Sequence, residues 1–180
     1  EDGFIDFVDE KENFLGRGYL SKQNKGAGWL LSQIPEAINQ SFYEEKFEEA
    51  KRARLSFFQD DLTTAFRIFN GEGDGLGGVT VDYYAEYAVF SWYNPFIYTQ
   101  STDIIAAFQS VYPEIKGIYE KIRFEGLSFE TRHIGGKIAP EPLAVMENGV
   151  TYATYMNEGL MTGIFLDQKE VRGTLASGLV

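Results

Sequence analysis

Cysteine is missing from this chain altogether, and histidine occurs once, at His133. Disulfides are therefore impossible, and so is a zinc site of the usual Cys/His kind. A nucleophilic thiol would have to come from elsewhere. No apolar run approaches the roughly 20 residues that span a bilayer, and residue 1 does not open a secretory signal, so no membrane partner is expected and the cytoplasm is the expected compartment. Positive charge is scarce too. The 16 Lys and Arg face 27 Asp and Glu, a net charge of −11. That balance opposes unaided nucleic-acid binding, because most of such affinity comes from cations neutralising phosphates. Distribution matters more than the sum. Cations gather at Arg17, Lys22 and Lys25, at Lys51, Arg52 and Arg54, and at Lys121, Arg123, Arg132 and Lys137, whereas acids crowd residues 1–12 and 44–49.

Apolar and aromatic surface is plentiful. With 44% hydrophobic residues, and 11 Tyr and 15 Phe among them, the chain has the material for a folded core. Its 180 residues fit one domain or two small ones. Residues 4–8, FIDFV, alternate as a strand does; NFLGRGYLS at 13–21 and GWLLS at 28–32 add two more short extended runs. This β segment is too short to close a barrel, and because the chain opens inside a strand its true start is expected to lie upstream.

From Ser41 the period changes. Ser41 and Glu44 form an S-x-x-E capping box, and Phe42, Tyr43, Phe47, Ala50 and Leu55 recur at helical spacing, which predicts a helix over 41–59. Its acid-first, base-last order suits the helix dipole, so Lys51, Arg52 and Arg54 have a structural role available as well as an RNA one.

The segment FNGEGDGLGGVTVDYY, residues 69–84, contains G-x-G-x-x-G at Gly73, Gly75 and Gly78. A phosphate loop needs a helix to leave it, and here the β-branched and aromatic run Val79–Tyr84 follows instead. Glu72 and Asp74 would also repel an anion. The segment reads as a tight, positive-φ turn in which those carboxylates accept backbone N–H bonds. As a carboxylate pair for hydrolysis they lack anything to hold them across a scissile bond.

VTVDYY and EYAVFSW read as a hairpin, and Ile104, Ile105, Phe108, Val111 and Tyr112 as an amphipathic helix stopped by Pro113. IKGIYEKI returns to strand, so residues 65–124 read β-β-α-β. His133, Gly135 and Gly136 read as a loop. LAVMENGVTYATY is a hairpin turning at Asn148-Gly149. In the final stretch, MTGIFLDQKEVRGTLASGLV, Asp167 is placed to cap a helix starting at Gln168 with Glu170 completing the box, and Val171, Leu175 and Leu179 share one face.

Several of these stretches share one resemblance. FRIFNGEGDGLGGVTVDYY and TGIFLDQKEVR are similar to signature segments of the class I S-adenosylmethionine-dependent methyltransferases that modify C5 of a cytosine in large-subunit rRNA, and NFLGRGYLS resembles the end of their N-terminal PUA domain. Gly77 stands where proline is common, Ile164 replaces a usual phenylalanine, and Lys169 a usual arginine. The resemblance implies an α+β fold. A small β PUA-like remnant would occupy residues 1–40, a linking helix with a β-β-α-β central domain 41–140, and the start of a Rossmann-like methyltransferase domain, mostly missing, 141–180. It implies S-adenosylmethionine as cofactor, with Phe165, Asp167 and Gln168 at the lip of the donor site and the main binding loop beyond Val180. It implies ribosomal RNA as partner, with Arg17, Lys22, Lys121 and Arg123 as RNA-binding candidates, and it allows a homodimer. No residue of this chain is expected to be catalytic, since the cysteine nucleophile such chemistry needs is absent, and no metal is expected. The chain alone would then be an inactive N-terminal fragment. The competing reading is a non-catalytic, acidic and aromatic-rich module that binds a protein partner through exposed tyrosines.

Overall fold

The structure is a computed structural model and describes residues 2–23 and 25–178. The three short extended runs form an antiparallel sheet in sequence order: β1 (Gly3–Val8), β2 (Phe14–Gln23) and β3 (Gly26–Ser32). The helix that follows is capped earlier than the S-x-x-E pattern predicts. Asn39 is extended, and its Oδ1 accepts from the Phe42 amide at 3.3 Å, so α1 runs Gln40–Ala53 with Ser41 inside it. Phe42, Tyr43, Phe47 and Ala50 are its buried face. The expected single helix also breaks at Arg54, and α2 (Leu55–Phe58) continues from there. At that break the Arg54 guanidinium bonds the carbonyls of Ala50 and Arg67 and forks onto Asp74 at 2.7 and 3.1 Å.

A five-stranded mixed sheet carries the rest: β4 (Ala65–Asn70), β5 (Val79–Tyr84), β6 (Tyr87–Trp92), β7 (Gly117–Ile122) and β8 (Thr131–Gly136), adjacent in that order. Strand β7 lies parallel to β6 because the chain crosses over through α3 (Pro95–Thr99) and α4 (Ser101–Val111); the other pairs are antiparallel. The anticipated β-β-α-β unit is thus extended by a strand at each edge. The His133 segment is a strand, not a loop, because Gly135 and Gly136 pair with Ile118 and Gly117 instead of turning the chain. His133 is half-buried against the Tyr119 ring, 5.0 Å between centroids, and is not the loop residue expected.

Strand alternation gives the sheet two different faces. Phe66, Ile68, Val81, Ala88, Phe90, Trp92, Ile118 and Ile122 point to one side, where α1 and α4 cover them with Phe42, Phe47, Ile104 and Phe108. Ala65, Tyr84, Val89 and Tyr119 point to the other and meet Leu143, Val145, Met156 and Ile164. Leu143 and Val145 come from the hairpin of β9 (Leu143–Glu147) and β10 (Val150–Thr154), which turns at Asn148 (φ 51°) and Gly149 (φ 79°) as the Asn-Gly pair predicts. This second layer covers only part of its face.

The glycine-rich acidic turn is the joint between the two sheets. Gly71, Gly75 and Gly78 all have positive φ, and residues 71–74 make one tight helical turn. Asp74 accepts from the Asn70 amide at 2.6 Å, as expected of a turn carboxylate. Glu72 does something else: its Oε1 accepts from the Trp29 indole of β3 at 2.8 Å. The Tyr19 hydroxyl of β2 donates to the Gly77 carbonyl at 2.8 Å and accepts from Asn94 at 2.9 Å, and the Tyr19 and Trp29 rings stack 5.4 Å apart. A Cβ on Gly77 would sit 2.1 Å from Trp29 Cδ1, so the bare glycine is what lets the indole lie on the turn.

Candidate functional site

The uncovered part of the sheet's second face is a groove of about 770 Å³. Its floor follows from register. Arg67 of β4 lies directly across from Asp82 of β5, and Ser91 of β6 lies across from Lys121 of β7, all on the face that alternation turns away from α1 and α4. Residues 160–167 form the far wall, and Tyr93 and Arg123, just past the ends of β6 and β7, also line it.

Arg67 forks onto Asp82 with Nε and Nη2 at 2.8 and 3.2 Å, and its Nη1 reaches Asn70 Oδ1 at 3.3 Å. Three contacts therefore fix the plane of a guanidinium that remains exposed on the groove side. Hydrogen bonds from the sheet hold the opposite wall in place. Lys121 Nζ and Thr131 Oγ1 both donate to the Gly159 carbonyl, Arg123 Nη2 donates to the Leu160 carbonyl at 2.8 Å, and the Tyr84 and Thr162 hydroxyls share a bond of 2.9 Å. Lys121 is almost wholly buried, 1% exposed, and that burial, with the neighbouring charge of Arg123 second, pushes its amine down to about 8.

Four of the seven donor-site and RNA-binding candidates meet in this groove, Lys121, Arg123, Phe165 and Asp167, and Arg54 of the second basic cluster lines it too. Phe165 is 60% exposed, an unusual state for a phenylalanine beside so much buried aromatic surface. Gln168 is exposed, at the end of the tight helical turn Leu166–Gln168, and is not part of the lining. Asp167 does not cap the last helix. That turn takes in Asp167 and Gln168, the anticipated cap and first helical residue, so α5 runs Lys169–Ala176 and starts without a side-chain cap. Instead α5 is tied down by Arg172, which forks onto the buried Glu147 at 2.7 and 2.8 Å and donates to the Phe165 carbonyl. Val171 and Leu175 are both exposed; Leu179, expected on the same face, lies outside the described residues.

The other two cations are on the N-terminal sheet, away from the groove. Arg17 forks onto Asp6 at 2.6 and 3.0 Å and donates to the Glu36 carbonyl, while Lys22 is exposed near the end of β2. Of the third basic cluster, Arg132 pairs with the buried Glu120 at 2.6 Å. Arg67, Asp82, Ser91 and Tyr93 were not singled out by sequence reading. The signal was present, since alternation through FRIFN and VTVDYY puts Arg67 and Asp82 on the same side as Tyr84, but their facing each other is a matter of strand pairing.

Comparison with known proteins bears on this groove. The PUA-like domain family matches residues 1–33, the three strands of the first sheet. A Bacillus subtilis protein provisionally named a ribosomal RNA large subunit methyltransferase, YwbD, is 45% identical over 177 residues, 96% of this chain and 45% of that protein. Ribosomal RNA large subunit methyltransferase I of Klebsiella pneumoniae is 30% identical over 175 residues, 93% of this chain and 43% of its own length. The chain is related to the large-subunit rRNA methyltransferases. It spans about half the length of the curated relatives it matches. A Streptococcus mutans structure, provisionally described as a SAM-dependent methyltransferase, superposes with a TM-score of 0.95 at 45% identity, over 99% of this chain and 46% of that one. A second structure, SMU.776, provisionally described as a methyltransferase and complexed with SAH, gives 0.92 at 46% identity over 96% of this chain and 44% of the other. These relatives are methyltransferases, and the protein-interaction reading is not favoured.

Proposed function

We propose that this chain supplies the RNA-positioning part and one wall of the donor site of an S-adenosylmethionine-dependent large-subunit rRNA methyltransferase acting on C5 of a cytosine, a cytoplasmic enzyme. The observation that carries the proposal is the 45% identity along 177 residues to a protein provisionally named an rRNA methyltransferase. Within it, residues 1–40 act as the PUA-like part, 41–140 as the central part, and 141–180 as the opening of the methyltransferase part.

The donor is a sulfonium cation, and the groove wall fits such a group: an exposed aromatic ring at Phe165 and the carboxylate of Asp167 both suit a cation, with Gln168 next in sequence at the lip. When bound, the donor supplies the methyl group. Phe165 and Asp167 orient it and exclude water. C5 of cytosine becomes nucleophilic once a thiolate adds at C6, and with no cysteine in this chain that thiolate comes from residues outside it. RNA contact is assigned to Lys22 and Arg123 directly, with Arg17, paired to Asp6 at the surface, and the buried Lys121 contributing charge.

Titration of a fluorescent large-subunit rRNA fragment at increasing salt tests the assignment. The chain should bind at low salt, and log K should fall linearly with log salt. Lys22→Gln and Arg123→Gln should each flatten that line by about 0.7 to 0.9. Failure to bind RNA even at low salt would refute the proposal.

A further inference from the structure

We propose that the groove's floor takes one unstacked nucleotide of single-stranded RNA, its base lying on the Arg67 guanidinium with the Phe165 ring on the other side of the groove. The inference rests on the functional reading above and adds to it a nucleotide site that shares the Phe165 wall with the donor. Size agrees: a groove of about 770 Å³ falls within the 300–1,000 Å³ range typical of small-ligand sites.

The sign pattern is the stronger argument. Asp82, Asp167 and Glu170 share the lining with Arg54, Arg67, Lys121, Arg123 and Lys169. A track for a phosphate backbone would carry cations alone, because every carboxylate on it opposes the polyanion. The edge of a base, in contrast, needs donors and acceptors together, and the faces of a base need flat partners. The groove offers both. Arg67 is locked flat by Asp82 and Asn70, so little side-chain freedom is lost when a base settles on it. Phe165 presents an exposed ring, and Ser91 and Tyr93 add hydroxyls. Arg123, at the rim and bonded to the Leu160 carbonyl through Nη2, is placed for the adjoining phosphate. A duplex keeps its bases stacked and its edges in the grooves, so the site selects single strands.

The test is fluorescence anisotropy with a short labelled single-stranded rRNA segment and a duplex of the same sequence, on the wild-type chain, Arg67→Lys, Phe165→Ala and Lys22→Gln, each checked for folding by circular dichroism. Arg67→Lys keeps the charge and removes the plane. It and Phe165→Ala should each weaken single-strand binding about tenfold, leave the salt slope unchanged, and leave duplex binding as it was; Lys22→Gln should flatten the slope. If Arg67→Lys does not fold, the exposed Phe165 decides. Single-strand affinity unchanged in the folded variants, or a loss that appears only as a change of salt slope, overturns the nucleotide site while the functional reading stands. No RNA binding by the wild-type chain overturns both.

Discussion

Lys121 shows what a single residue hides in sequence. It sits among Arg123, Arg132 and Lys137 and reads as one more surface cation, yet the alternation of GIYEKI turns it inward with Tyr119. Its folded amine is held near 8, against about 10.4 for a free lysine. Between those values the unfolded chain binds a proton that the folded chain does not, so stability rises with pH across that window, by up to about 3 kcal/mol. Burial moves the hydroxyls of Tyr84 and Tyr112 in the raising direction, and their opposing effect begins only above about pH 10. Urea unfolding at pH 7.5 and 9.5, expressed relative to the same pair of measurements on Lys121→Met, isolates the effect. The wild-type chain should gain stability relative to the variant between the two, and an equal response in both would refute the assignment of a shifted lysine.

Among the elements, α5 has little local support. No side chain caps it, its apolar Val171 and Leu175 are exposed, and its attachment is the Arg172–Glu147 fork. Removing the arginine strands a carboxylate that is 1% exposed. Arg172→Ala should therefore cost about 3 to 5 kcal/mol in chemical unfolding, whereas Glu147→Leu with Arg172→Leu should cost much less, because the desolvation penalty leaves with the pair. Equal losses would mean that the fork is not what holds the helix. The same element shows where capping signatures mislead. Asp167 and Ser41 each begin a proper box, but a capping side chain works only if the backbone leaves the helix at that residue. The helix starts at Lys169 in one case, after the tight turn, and at Gln40 in the other, where Asn39 is the cap. Hairpins were legible for the opposite reason: Asn148-Gly149 needs only its own positive φ values, which no distant contact has to supply.

At the scale of the molecule, the glycine-rich turn decides how the PUA-like sheet meets the mixed sheet. Gly77→Ala places a Cβ against Trp29 and should displace the indole from Glu72. The expected outcome is a loss of about 1 to 3 kcal/mol, with a shift in tryptophan emission as Trp29 becomes more exposed. Trp29→Ala in the Gly77→Ala background should add little further cost, since the contact is already broken. Full additivity would place the strain elsewhere.

Periodicity, turn chemistry and composition were enough to place most strands, both long helices and the hairpin turns, because each depends on neighbours a few residues away along the chain. The same local reading ruled out a phosphate loop from the strand that follows the glycines. The groove depended on pairing across the sheet: Arg67 faces Asp82 across fifteen positions, and Lys121 reaches a carbonyl thirty-eight away. Which face of the sheet stays open depended on how much of it the β9–β10 hairpin could cover. Burial and charge pairing between distant segments carry no short-range signature, so only the folded chain could reveal them.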